Sequence, residues 1–328
     1  MPVIEFREAL NQAMCEEMER DESIFLMGEE VGLYNGAYKV SKGMMDRFGA
    51  RRVVDSPITE NSFVGLGVGA ANVGLRPIIE VMTFNFAIIA LDQIINNAAK
   101  MRYMSGGQLK TPMVIRGPGG AAHNLACQHS QAIESFLVHT PGLKVVTPST
   151  PYEGKGLLKS AIRDDNPVCF IESEVMYGMK GEVPEEEYLI PLGVSNKIRD
   201  GGDCTLVSYS KMIHVCMEAA QKLSEGDGVE CDIIDLRTLR PLDMNPVYES
   251  IAKTNRVVIV TEAWPMCSMA SEISSLVAEH VFDDLDAPPA RVSSEDIPRP
   301  YASNLEHAAS VTPEKVVQAV KKVCYLAD

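Results

Sequence analysis

Short apolar runs alternate along this chain with segments whose apolar residues recur at helical spacing, and that alternation constrains the fold more than any other feature. The expected strands of the first half are Ile24-Met27, Val53-Asp55, Ile78-Met82, Met113-Arg116, Leu143-Thr147 and Val168-Glu172. Helical patterns fit between them over Asn61-Gly74, Phe86-Met101, Ser130-His139 and Tyr152-Arg163, after an opening helix with Phe6, Leu10, Ala13 and Met14 on one face. Strand and helix in alternation predict a mostly parallel sheet covered by helices on both faces, a doubly wound α/β fold.

The pattern lapses from about Tyr177 to Asp203, where glycine, proline and the acidic run Glu185-Glu187 accumulate, and this stretch reads as a linker. Alternation then resumes, with strands expected at Cys204-Tyr209, Val229-Asp235, Val257-Thr261 and Ala290-Val292 and helices between and after them. The domains are therefore expected at 1–177 and 204–328, joined by 178–203. A length of 328 residues suits two domains.

A formal net charge of −15 argues against nucleic acid as a partner and against anionic membrane surfaces, since both need clustered Lys and Arg. The eight cysteines form no C-x-x-C pair and sit mostly in apolar runs, as expected of reduced thiols in a cytoplasmic or already processed protein. The six histidines show no metal-ligand spacing.

One segment stands out chemically. Glu60 lies where the strand Arg51-Arg52-Val53-Val54 gives way to a helix rich in small residues, among them Gly65, Gly67, Gly69 and Gly74. Glycine costs about 1 kcal/mol per helical position relative to alanine, so this many argue for close packing against another helix or a ligand. In open parallel sheets ligands sit beyond the carboxyl ends of strands. Glu29, Glu60, Phe84, Phe86 and the glycine-rich Arg116-Gly117-Pro118-Gly119-Gly120 would all share that rim. By position alone Glu60 is equally well explained as a first-turn acid favoured by the helix dipole.

A set of matched segments goes further. Gly28-Glu29-Glu30-Val31, Pro57-Ile58-Thr59-Glu60-Asn61, Glu80-Val81-Met82-Thr83-Phe84-Asn85-Phe86, Gln128-His129-Ser130-Gln131, His139-Thr140-Pro141-Gly142-Leu143 and Asp296-Ile297-Pro298-Arg299-Pro300-Tyr301 run in order along the chain. They closely resemble the beta subunits of pyruvate dehydrogenase, the thiamine-diphosphate-dependent decarboxylating component of 2-oxo acid dehydrogenase complexes. The resemblance implies a pyrimidine-binding domain followed by a transketolase C-terminal-like domain. It also implies an alpha subunit that holds the diphosphate and its Mg²⁺, an assembly of two alpha and two beta chains, and a lipoyl-bearing dihydrolipoyl acetyltransferase core as partner.

Carried over residue by residue, the resemblance gives Glu60 the task of exchanging a proton with the aminopyrimidine ring. Phe86 would pack on that ring, Met82 and Ile58 would line its apolar wall, and Glu29 would be a second carboxylate beside it. His129 would stand at the mouth, handling pyruvate or the incoming lipoyl group. The turn Ala161-Ile162-Arg163-Asp164-Asp165-Asn166, with Met113, would hold a structural K⁺ through Met113, Ala161, Ile162, Asp164 and Asn166. Its plain alternative is a helix cap at Asp164 to Asn166. The location implied is cytoplasmic for a bacterial chain, and the mitochondrial matrix or a plastid for a processed eukaryotic one.

Gly226-Asp227-Gly228 with Asn255 imitates the diphosphate-binding motif expected of the alpha subunit, but it is expected to be a helix-to-strand turn, since it follows a helical pattern and precedes a strand. A beta subunit for branched-chain 2-oxo acids is the nearest alternative. A non-catalytic nucleotide-binding or scaffold subunit, with Gly65-Leu66-Gly67-Val68-Gly69 as its fingerprint, is a remote one, because that fingerprint should follow a strand directly.

Overall fold

The computed structural model describes residues 1–326. It resolves into two compact units, one made of Met1–Gly119 and Phe136–Leu192, the other of Gly120–Ser135 and Gly193 onward.

The first unit opens with β1 (Val3–Glu5) and α1 (Phe6–Arg20), followed by β2 (Ile24–Glu29), α2 (Met44–Phe48), β3 (Val53–Ser56), α3 (Glu60–Asn72) and β4 (Arg76–Glu80). It continues through α4 (Phe84–Ala87), α5 (Met101–Met104), β5 (Val114–Pro118), α6 (Glu134–Val138), β6 (Lys144–Val146), α7 (Pro151–Arg163), β7 (Val168–Glu172) and β8 (Lys180–Glu182). The strands run parallel in the order β6-β7-β5-β4-β2-β3. Every side chain of β5 and of β7 is buried. That is the signature of a parallel sheet covered on both faces, and it explains why these strands open with apolar runs.

Helices α1 and α7 carry one side of the core, with Phe6, Leu10, Met14 and Met18 in the same cluster as Leu157, Leu158 and Ile162. Helix α7 starts where its sequence says it should. Pro151 occupies the first turn, and the Thr150 hydroxyl accepts the Glu153 N–H at 3.2 Å.

In α3 the glycines divide by task. A Cβ on Gly67 would lie 2.8 Å from Ile79 of β4, so this glycine lets the helix sit close to the sheet. A Cβ on Gly69 would meet nothing within 4 Å. Leu66 and Val73, on the same helix face as Gly69, are 62% and 81% exposed.

Two helices expected from the sequence are broken. Phe86-Met101 is not one helix. After α4 the chain passes through a 3₁₀ turn over Ile88–Ala90 and a π-helical stretch over Asp92–Ala98 before α5. The β-branched Ile88, Ile89, Ile94 and Ile95 crowd regular helix turns. The amides of Asn96 and Asn97 bond back to Asp92 and Gln93 at 2.7 and 2.9 Å. Ser130-His139 is helical only from Glu134, because the Gln131 carbonyl is occupied by the Gly120 N–H at 2.9 Å.

The second unit holds β9 (Asn196–Arg199), β10 (Cys204–Ser208), α8 (Met212–Asp227), β11 (Cys231–Asp235), β12 (Thr238–Arg240), α9 (Asn245–Thr254), β13 (Val257–Val260), α10 (Met269–His280), β14 (Ala290–Val292), α11 (Ser303–Ala309) and α12 (Pro313–Val323). Its sheet has the order β14-β13-β10-β11-β9, parallel except for β9. The stretch 178–203, expected as a linker, thus contains two strands: β8 pairs with β1 and β9 closes the second sheet. The sequence places 120–135 in the first domain, but the chain folds it with the second unit. Gly226 and Asp227 end α8, and Gly228 caps it in the left-handed conformation, giving the helix-to-strand turn expected there.

Candidate functional site

The carboxyl ends of the first sheet bring acids together. Glu29 is the last residue of β2 and 4% exposed, Glu60 the first of α3 and 5% exposed, and Glu80 the last of β4 and 4% exposed. Gly28 and Glu80 are register partners on adjacent strands, and a Cβ on Gly28 would come within 2.4 Å of the Glu80 carbonyl. Glycine is therefore required one residue before Glu29.

Behind this rim lies a buried ionic cluster that the sequence did not reveal. Arg116 of β5 donates through Nε to Glu172 at 2.6 Å, makes further contacts with Glu172 and Glu80, and reaches the Tyr177 hydroxyl at 3.1 Å. Tyr177 donates in turn to Glu172 at 2.6 Å. Burial opposes a charge on Arg116, but Glu172 and Glu80 hold it cationic. One arginine faces two carboxylates, so the cluster leaves a negative field at the strand ends when both are ionised.

That field reaches Glu29. Burial first, then the charges of Glu60 and Glu80, push its carboxyl up to about 7. Its Oε1 is buried with no hydrogen-bond partner among the described residues. A buried polar atom left unpaired is costly, and here it marks a place for a group that the chain does not itself provide. Burial likewise pushes Glu80 up.

The apolar residues of the expected pocket fall into two sets. Met82, after β4, and Phe86, in α4, are half-buried beside buried Phe84. Ile58 is 77% exposed, so any wall that includes it needs a surface from outside this chain.

His129 belongs to the second unit, exposed on a short 3₁₀ turn, Cys127–His129. The segment that bears it is tied down at several points. Glu262 accepts the Ala121 N–H at 2.6 Å and pairs with Lys211 at 2.6 Å, while Lys211 donates to the Ala121 carbonyl at 2.6 Å. Asn124 N–H reaches Glu306 at 3.1 Å, and Tyr209 donates to buried Glu134 at 2.6 Å. These anchors carry no local motif and were invisible in the sequence.

The turn after α7 is rich in oxygen acceptors. The carbonyl of Ala161 accepts from Asp164 at 3.2 Å and that of Met113 from Val168 at 2.9 Å, so each keeps a free lone pair. Arg76 Nη1 donates to the carbonyls of both Ile162 and Asp164 at 3.1 Å. The Asp164 carboxylate accepts from Asn166 at 2.8 Å, capping the turn, and also contacts Lys144. The oxygen set suits a hard cation, with Arg76 already bonded to two of its carbonyls.

Asn255 caps α9 in the left-handed conformation and donates to the Asp284 carbonyl at 2.7 Å, so both halves of the imitated diphosphate motif serve as caps. Gly65 to Gly69 lie inside α3, not in a strand-to-helix turn, which removes the fit to a nucleotide fingerprint.

Two parallel α/β units with acids gathered at the strand ends are the architecture of transketolase-like proteins. The transketolase pyrimidine-binding domain family matches residues 3–180, and the transketolase C-terminal domain family matches 193–316. A split-gene transketolase solved as an inactive beta4 tetramer superposes with a TM-score of 0.78 at 22% identity, over 99% of both chains. The chain is 53% identical over 326 residues to the pyruvate dehydrogenase E1 component subunit beta of Rhizobium meliloti, covering 99% of this chain and 71% of that one. It is 52% identical to the corresponding subunit of Rickettsia felis, covering 98% of each. It is 50% identical to the mitochondrial subunit of Dictyostelium discoideum, covering 97% and 90%. The chain belongs to the pyruvate dehydrogenase E1 beta-subunit family.

Proposed function

We propose that this chain works as the beta half of a pyruvate dehydrogenase that decarboxylates pyruvate and passes the acetyl group to a lipoyl carrier. The observation that carries the reading is Glu29: a buried carboxyl with an unpaired oxygen, raised to about 7, beside Glu60 at the head of α3. When bound, thiamine diphosphate supplies an acidic carbon that adds to a 2-oxo acid and takes up the electron pair released with CO₂.

The residues of this chain do the rest of its share. Glu60 exchanges a proton at its carboxyl oxygen with the ring nitrogen of the aminopyrimidine. Helix α3 begins at Glu60, so its start fixes where the carboxyl points. Glu29, protonated for part of the time near neutrality, can donate through a carboxyl that an ordinary acid would leave ionised. Met82 and Phe86 supply a flat apolar support and exclude water. His129 handles the substrate or the lipoyl group.

The diphosphate and its Mg²⁺ fall to an alpha subunit, since the one matching motif here is spent on helix caps. Exposed Ile58 and the open stripe of Leu66, Gly69 and Val73 on α3 support a closely packed partner, in keeping with an assembly of two alpha and two beta chains docked on an acetyltransferase core. The turn of Ala161, Ile162, Asp164 and Asn166 with Met113 is proposed to hold K⁺. Pyruvate is preferred to branched-chain 2-oxo acids because the relatives from Rhizobium meliloti, Rickettsia felis and Dictyostelium discoideum, at about half identity, carry the pyruvate name.

Co-expression of Glu60→Gln with the alpha subunit tests the assignment. Assembly should be normal and decarboxylation of pyruvate should fall by at least about two orders of magnitude; turnover near that of the wild type would refute it.

A further inference from the structure

Three thiols meet in the second unit. Cys204 begins β10 and Cys231 begins β11, and the two are register partners across a parallel strand pair. Cys324 caps the end of α12 and packs against the same apolar cluster. Both other thiols act electrostatically on the Cys204 thiol. Backbone contacts agree: Cys324 Sγ approaches the Asp203 carbonyl at 4.0 Å, and Cys204 Sγ lies 3.8 Å from that of Thr205, so both sulfurs border the same stretch of backbone.

The members of the trio differ in access and charge. Cys204 and Cys231 are fully buried, whereas Cys324 is partly exposed. The hydrogen bond from Cys204 holds the Cys324 thiol below its ordinary value, and the nearby Arg256 charge adds to this. Arg256 Nε is buried with no partner among the described residues, so a donor without an acceptor sits close to a sulfur that would be a better acceptor as a thiolate. A reachable, acidified thiol against a buried second thiol is the arrangement of a peroxide-reactive cysteine and its resolving partner.

We propose that Cys324 and Cys204 form a reversible disulfide when the protein meets a hydroperoxide. The Cys324 thiolate attacks the outer peroxide oxygen, breaking the O–O bond, and becomes a sulfenic acid while the peroxide leaves as an alcohol or water. The Cys204 sulfur then attacks Cys324, the S–S bond forms, and the hydroxyl departs as water with the Cys204 proton. Two thiols are oxidised and one peroxide is reduced; a dithiol reductant reverses the change. The sulfurs must close to about 2.05 Å, and the bond fixes the end of α12 to the start of β10.

The test exposes the full chain, in the assembly in which it purifies, to graded hydrogen peroxide and maps its peptides without reduction. A peptide joining Cys204 to Cys324 is expected, removable by dithiothreitol and lost in Cys324→Ser. In Cys204→Ala a dimedone adduct should accumulate on Cys324. Oxidation of the exposed Cys127 and Cys267 while Cys204 and Cys324 stay reduced would overturn the proposal. So would a Cys204–Cys231 bond in its place. The wild-type peptide map and the cap-position variant Cys324→Ser decide the matter if Cys204→Ala fails to fold.

Discussion

Arg116 meets Glu172 inside the first sheet, donating through Nε at 2.6 Å, and neither side chain is more than 1% exposed. A buried pair of this kind contributes little net stability relative to apolar residues of the same shape, but losing one partner strands the other. Arg116→Met would leave Glu80 and Glu172 facing each other without a cation. A loss of ~3–5 kcal/mol in folding stability is expected from denaturant titration. A change below about 1 kcal/mol would mean that the cluster is solvated or protonated in solution.

Glu29 sets a pH dependence of definite sign. Its folded value, about 7, lies above the ordinary 4.5, so the folded state binds the extra proton between those values. The contribution is fully present below about pH 4.5 and is lost as pH rises through 7. Glu29→Gln should therefore flatten the fall in stability from pH 5 to pH 8, read from thermal unfolding at each pH. An unchanged slope would place the titration on Glu80 or elsewhere.

The glycines of α3 separate packing from assembly. Gly67→Ala places a methyl 2.8 Å from Ile79 and should cost ~1–3 kcal/mol. Gly69→Ala meets open space in this chain and should gain up to about 1 kcal/mol of helix propensity. If Gly69 faces the alpha subunit, the same change should weaken subunit association in analytical ultracentrifugation. Tight assembly of the Gly69→Ala chain would remove α3 from that interface.

For the turn after α7, exchanging K⁺ for Na⁺ at constant ionic strength should lower the unfolding temperature, since a ligand bound only by the folded state stabilises it by mass action. Equal melting in the two salts would show that Arg76, bonded to the Ile162 and Asp164 carbonyls, already meets the need for a cation.

Glu262 is expected to hold the segment bearing His129. Glu262→Gln keeps an acceptor but weakens the ion pair to Lys211 and the charge-assisted bond from Ala121 N–H. Amide exchange in peptides spanning 120–131 should accelerate while that of β13 stays slow. Unchanged protection would mean that Glu134 and Glu306 suffice.

What could be read from the sequence depended on periodicity. The buried strands announce themselves as apolar runs, and the boundaries of β7 and β14 fall where expected. Glu60 stood out because a glycine-rich helix follows it, and the structure puts it at the head of that helix. Arg116 was legible only as the start of a glycine loop. Its partners Glu80, Glu172 and Tyr177 come from separate elements, and no local pattern says that two strand ends and a 3₁₀ turn will converge on it. Strands β8 and β9 are too short and too polar to stand out from a linker. The π-helical stretch was hidden for the opposite reason: its apolar spacing imitates a regular helix.

The tie between Ala121 and Glu262 spans 141 positions of chain. On a ribosome adding about 5–20 residues per second, the segment that carries His129 emerges roughly 7–28 s before the carboxylate that will hold it. The strands β2 to β7 of the first sheet can assemble in that interval without waiting. The histidine-bearing stretch can therefore be held first by Tyr209 and Lys211 and gains its Glu262 anchor only later in synthesis.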